Sequence, residues 1–197
     1  MKKTVLVGIT ASILILITTA LILNNRFLTF ENVGTTAENS FDAYIKFDGI
    51  EGESTDDRHK GWSDVLSFSW GVRQPGLRMG GATGERVNVN DFSFVMTYSK
   101  ASPKLFLACC TGRHIKTAVL TCCRDTLDRK AYLNYTFNDV MITSYETVGN
   151  TTYDRPTEEV AITFSKILIE YQQYDSEGKP IGPLVRVGWD FKKGKPS

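Results

Sequence analysis

The chain has 197 residues, 42% of them hydrophobic and 23% charged, which is enough apolar material for a sizeable folded core. A formal charge of +1 leaves no basic footprint for a polyanion, so nucleic-acid binding is not expected. No segment is low-complexity and no period repeats, which sets solenoids and repeat arrays aside.

Residues 1–26, MKKTVLVGITASILILITTALILNNR, carry Lys2 and Lys3 and then no charge until Arg26. As a helix, Thr4 to Leu23 would span roughly 30 Å, the hydrocarbon thickness of a bilayer. Two readings stay open. A signal peptide fits the short basic start, with Thr18-Thr19-Ala20 as an imperfect small-residue cleavage site. An uncleaved anchor fits the apolar run through Leu21, Ile22 and Leu23, with the lysines kept inside. Both imply membrane contact through residues 4–23 and a secreted or envelope-associated product. Residues 27–40 read as a polar linker, and 41–197 as the folded domain.

That domain reads mostly as strands. In FDAYIKFDGI, Phe41, Ala43, Ile45 and Phe47 alternate with polar residues. The stretch 48–62 is polar and glycine-containing. In DVLSFSWGV, Leu66, Phe68 and Trp70 are expected on one face as core anchors, with Ser67 and Ser69 opposite. QPGLRMGGATGER is a turn region, and VNVNDFSFVMTYS resumes the period of two. KASPKLFLACCTGRH changes character. Ser102-Pro103 signals a helix start and Gly112 its stop, with Leu105, Phe106, Cys109 and Cys110 on one face. Four further β-branched and aromatic segments follow, from IKTAVLTCC to PLVRVGWDFKK. One short helix among many strands predicts an all-β barrel or sandwich, and a barrel would remove exposed edges.

Candidate chemistry is sparse. Glu51, Glu53, Ser54, Asp56, Asp57 and His59 crowd the first long loop, but their spacing fits neither an EF-hand nor a zinc motif. Ser54 lacks the G-x-S-x-G context of a nucleophile elbow. The expected role is a polar connection between strands. His114 follows the helix, where its end favours a cation, so a capping or surface role is expected. Cys109, Cys110, Cys122 and Cys123 form two adjacent pairs. They lack C-x2-C spacing, and adjacent cysteines bridge each other only with strain. Helix-to-strand disulfides and buried free thiols both remain open.

DAYIKFDGIEGES, the His59-Lys60 that follows, DVLSFSWG, KASPKL, TGRHI, DVMITSY and VGWD occur in this order. The set resembles the haemolysin-coregulated protein (Hcp) family, the inner tube of the type VI secretion system, over about Phe41 to Lys192. The resemblance implies a β-barrel-like pair of sheets with one helix at the side. It implies a homohexameric ring that stacks into a hollow tube and carries effector proteins in its lumen. Other secretion-apparatus components are implied partners; no cofactor, metal or enzymatic activity is. Ser67 and Ser69 are then candidates for the lumen and cargo face. The hydrophobic leader departs from the family pattern, and an envelope-tethered or secreted binding protein that builds no tube is the alternative.

Overall fold

Alternation along each strand decides which residues line the interior. The computed structural model describes residues 41–74, 87–124, 130–149 and 154–197, and the leader and linker expected at 1–40 lie outside that range. Strands run β1 (Phe41–Phe47), β2 (Ser63–Ser69), β3 (Val72–Arg73), β4 (Asn88–Val89) and β5 (Phe92–Thr97). Helix α1 (Ser102–Thr111) follows. Then come β6 (Ile115–Arg124), β7 (Ala131–Val148), β8 (Thr157–Thr163), β9 (Lys166–Tyr174), β10 (Pro180–Asp190) and β11 (Lys195–Pro196). The main sheet has the order β11-β10-β9-β7-β6-β1-β2-β5-β8, and β8 also pairs with β7. Six strands therefore close into a barrel, while β9, β10 and β11 extend the sheet past β7. Strands β3 and β4 form a separate small sheet.

The core follows from the period of two. Phe92, Phe94 and Met96 of β5 are buried, as are Ala43, Ile45 and Phe47 of β1. Phe92 packs on Phe137 of β7 at 4.9 Å between centroids, and Phe137 on Phe164 at 4.8 Å. Burying each such side chain contributes about 1.5–3 kcal/mol.

Strand β2 breaks the simple alternation. Val65 pairs with Met96 but Ser67 pairs with Val95, so β2 carries one extra residue. Val65 points inward before this bulge, and Phe68 packs against the core after it. Leu66, expected as a core anchor, is instead 60% exposed. The period-two reading put it in phase with Phe68 because the sequence alone does not show the bulge. Trp70 packs against the core from its rim, 6.1 Å from Phe164, and its indole N–H donates to the Asn90 carbonyl at 3.1 Å.

Helix α1 begins Ser102-Pro103 and ends at Gly112, whose φ of 59° suits a residue without Cβ. Its buried face is Ser102, Leu105 and Ala108, laid against β7. Of the face expected from sequence, Leu105 is buried, Cys109 is partly buried, and Phe106 and Cys110 point to solvent. The apolar run is nearly continuous, so spacing alone did not select the stripe.

Candidate functional site

The first long loop is more ordered than a polar connection requires. Gly52 N–H donates to the Gly61 carbonyl at 2.7 Å, and Ser54 N–H to that of Trp62 at 2.8 Å. Asp56 Oδ1 accepts from the N–H groups of Arg58 and His59 at 3.1 and 3.0 Å and lies 2.7 Å from His59 Nδ1. The imidazole stacks on Tyr44 at 4.3 Å and meets the Trp62 edge at 5.0 Å. The loop is the polar connection between β1 and β2 expected from the sequence, with Ser54 and His59 buried within it. The carboxylates diverge to separate partners. Glu51 pairs with Lys100 at 3.2 Å, and Glu53 with Arg155 at 3.4 Å. Among the described residues, no group of three or more His, Cys, Asp or Glu side chains is placed to hold a metal ion.

The helix cysteines Cys109 and Cys110 are free thiols, so the helix-to-strand disulfides considered from the sequence are not formed. Cys122 aligns with Ala43 and Leu133 inside the barrel, whereas Cys110 faces outward from α1. Burial, reinforced by Cys123, pushes the Cys122 thiol up to about 12, far from a reactive thiolate. Cys123 is buried as well.

One buried carboxylate escaped the sequence reading. Glu158 is 0% exposed, in line with Val160 and Ile162 on the inward face of β8. Ser102 Oγ–H donates to its Oε1 at 2.8 Å, and Tyr145 Oη–H to its Oε2 at 2.5 Å. Ser102 Oγ in turn accepts from Ser99 N–H at 2.8 Å, which frees the hydroxyl proton for the carboxylate. The node ties the first turn of α1 to the strand that closes the barrel. Burial raises the Glu158 pKa, and the two hydroxyl donors pull the other way. The alternation Glu158, Val160, Ile162 was the available signal.

Among the described residues, the surface carries exposed apolar contact area. Val185 pairs with Tyr171, Val187 with Ile169, and Trp189 with Ile167, so these six share one sheet face. At the barrel wall that face is buried, as at Ile167. Past it the face emerges, and Val187 is 62% exposed, with Tyr171 and Val185 also in solvent. A groove of ≈ 280 Å³ lies between this hairpin and Trp70, Val72 and Val87. Leu66 and Val72 add exposed apolar surface on β2 and β3. Ser67 and Ser69 are exposed on β2. His114, expected in a capping or surface role, is exposed, and its imidazole Nδ1 lies 2.7 Å from Asp139 Oδ1. Among the described residues, no helix is long and apolar enough to cross a membrane.

Comparison with known proteins agrees with this architecture. The family model described as "Type VI secretion system effector, Hcp" matches residues 44–171. Protein hcp1 of Pseudomonas aeruginosa is 36% identical over 155 residues, spanning 77% of this chain and 96% of that protein. A solved type six secretion system protein superposes with a TM-score of 0.74 at 32% identity, over 80% of this chain and 100% of the other. Hcp1 from Salmonella typhimurium gives 0.67 at 33% identity, over 80% and 99%. A closed barrel flanked by helix α1, the ordered motifs and these matches together place the chain in the Hcp family of type VI secretion system proteins.

Proposed function

We propose that the protein acts as a ring subunit of the secretion tube, without enzymatic activity of its own. Copies associate side by side into a hexamer, rings stack, and effector proteins travel in the lumen. The observation that supports this most is the hairpin face bearing Tyr171, Val185 and Val187, which leaves the barrel fully formed and apolar yet uncovered. A continuous exposed apolar face of this kind marks a protein contact. A closed ring needs two different complementary surfaces on each subunit, and Leu66 and Val72 give β2 and β3 a second one. Ser67 and Ser69 suit a cargo-facing wall because small hydroxyl side chains present few apolar anchors. Secretion from the cell follows from the same role.

The test is Val187→Asp in the full chain. Val187 is exposed, so folding stability should change by no more than about 0.5 kcal/mol, while light scattering should show loss of the oligomer. An oligomer as stable as wild type would remove this face from the contact. An effector retained equally by wild-type and Ser69→Gln rings would remove Ser69 from the cargo wall.

A further inference from the structure

Strand β7 changes partners within a few residues. Leu133–Asn138 pair with β9, and Met141–Val148 pair with β8. Asp139 lies at the switch with a φ of 54°, the one positive φ among the described non-glycine residues. Aspartate tolerates this left-handed region better than most side chains. Here the hairpin β9–β10 parts from the barrel. The Asp139 carboxylate joins two further elements at this branch. His114 comes from the connection between α1 and β6, and Lys192, from the turn after β10, donates to Oδ2. These two partners hold the Asp139 carboxyl down at about 2, so it stays ionised in neutral solution.

Other links at the branch are also polar. Ser165 N–H donates to the Asn138 carbonyl at 3.0 Å, and Phe191 N–H to that of Ser165 at 2.9 Å. Lys166 lies 3.4 Å from Asp190. An open cleft of ≈ 600 Å³ runs alongside, lined by His114, Lys116, Asn138, Asp139, Ser165 and Lys166. Apolar packing supports the same joint, with Phe164 lying 4.8 Å from Phe137 and 5.8 Å from Phe191 between ring centroids. The polar links beside the open cleft can be broken singly while that packing stays in place.

We infer that Asp139 is the positioning residue of a hinge: its left-handed backbone turns β7 from β9 to β8, and its carboxylate, clamped between His114 and Lys192, fixes the angle at which β9–β10 leaves the barrel. The clamp therefore aims Tyr171, Val185 and Val187. Its consequence for assembly rests on the ring reading, and the hinge itself does not.

The test is a distance distribution by pulsed electron spin resonance in the full chain. Spin labels at Lys104→Cys on α1 and Glu177→Cys at the hairpin tip, in a Cys109→Ser, Cys110→Ser background, report the hairpin angle. Labelled chain is diluted with unlabelled chain so that only distances within one subunit count. Asp139→Asn keeps the size and backbone tolerance but loses the charge, and Lys192→Met removes one clamp arm. Both should broaden the distribution about twofold or shift its centre, with secondary structure intact. Asp139→Gly should do so more strongly, because the backbone is freed as well. Unchanged distributions in Asp139→Asn and Lys192→Met would overturn the hinge, whether or not the glycine variant folds. Light scattering on the same samples separates the two claims. A monomeric wild type with a shifting hairpin would sink the ring reading and leave the hinge standing.

Discussion

Replacing Glu158 with alanine strikes the node between α1 and the closing strand. Two hydroxyl donors, from Ser102 and Tyr145, lose their acceptor. A buried donor left unsatisfied costs about 1–3 kcal/mol. Tyr145 is the less buried of the two and regains water more easily, so its share lies at the low end. Relief of the buried charge offsets part of the loss, and the expected net destabilisation is about 2–3 kcal/mol. Glu158→Gln keeps the volume and one acceptor and should cost only about 1 kcal/mol. The pH dependence has a definite sign. Burial holds the folded pKa above the unfolded one, so the Glu158 contribution is fully present below the unfolded pKa of about 4.3. It is lost as pH rises through the folded pKa. The stability gap between wild type and Glu158→Gln should thus be widest near pH 4 and narrow towards neutrality. Urea unfolding of both at several pH values, at one protein concentration, measures it. An alanine variant within about 0.5 kcal/mol of wild type, or a gap that widens with rising pH, would refute the reasoning.

His59→Ala should cost about 1–3 kcal/mol in thermal or urea unfolding, because the stack on Tyr44 and the contact with Trp62 are lost. Asp57→Ala, on the exposed side of the same loop, should stay within about 0.5 kcal/mol; equal costs for both would mean the loop is not ordered around His59. Thiol labelling of the native chain should modify Cys110 fast and Cys122 only on unfolding, since Cys110 is exposed and Cys122 is buried with its thiol pushed up to about 12. Labelling of Cys122 at the rate of Cys110, read by peptide mass, would contradict the barrel interior described.

Strand positions and helix α1 were legible because side-chain alternation and the Ser102-Pro103 and Gly112 signals are local. The ordered motifs carried the family. The phase of β2 was not legible: an extra residue between Val65 and Ser67 inverts the side chains, and only pairing with β5 reveals it. The order of the first loop was hidden for a related reason. Asp56 and His59 look like solvated charges until Tyr44 is brought beside them. Val185 and Val187 belong to a β-branched segment, yet their strand outruns the barrel, and where a wall ends is a property of tertiary closure. Ser67 and Ser69 lie on the exposed side, and which surface they face depends on neighbouring copies.

The central claim is that copies of this chain close into a ring. Native mass spectrometry of the full chain, released from detergent at micromolar concentration, tests it most directly. The account predicts a dominant hexamer that dissociates to monomer in Val187→Asp. A wild-type chain that is monomeric across that concentration range, with its fold intact, would contradict it.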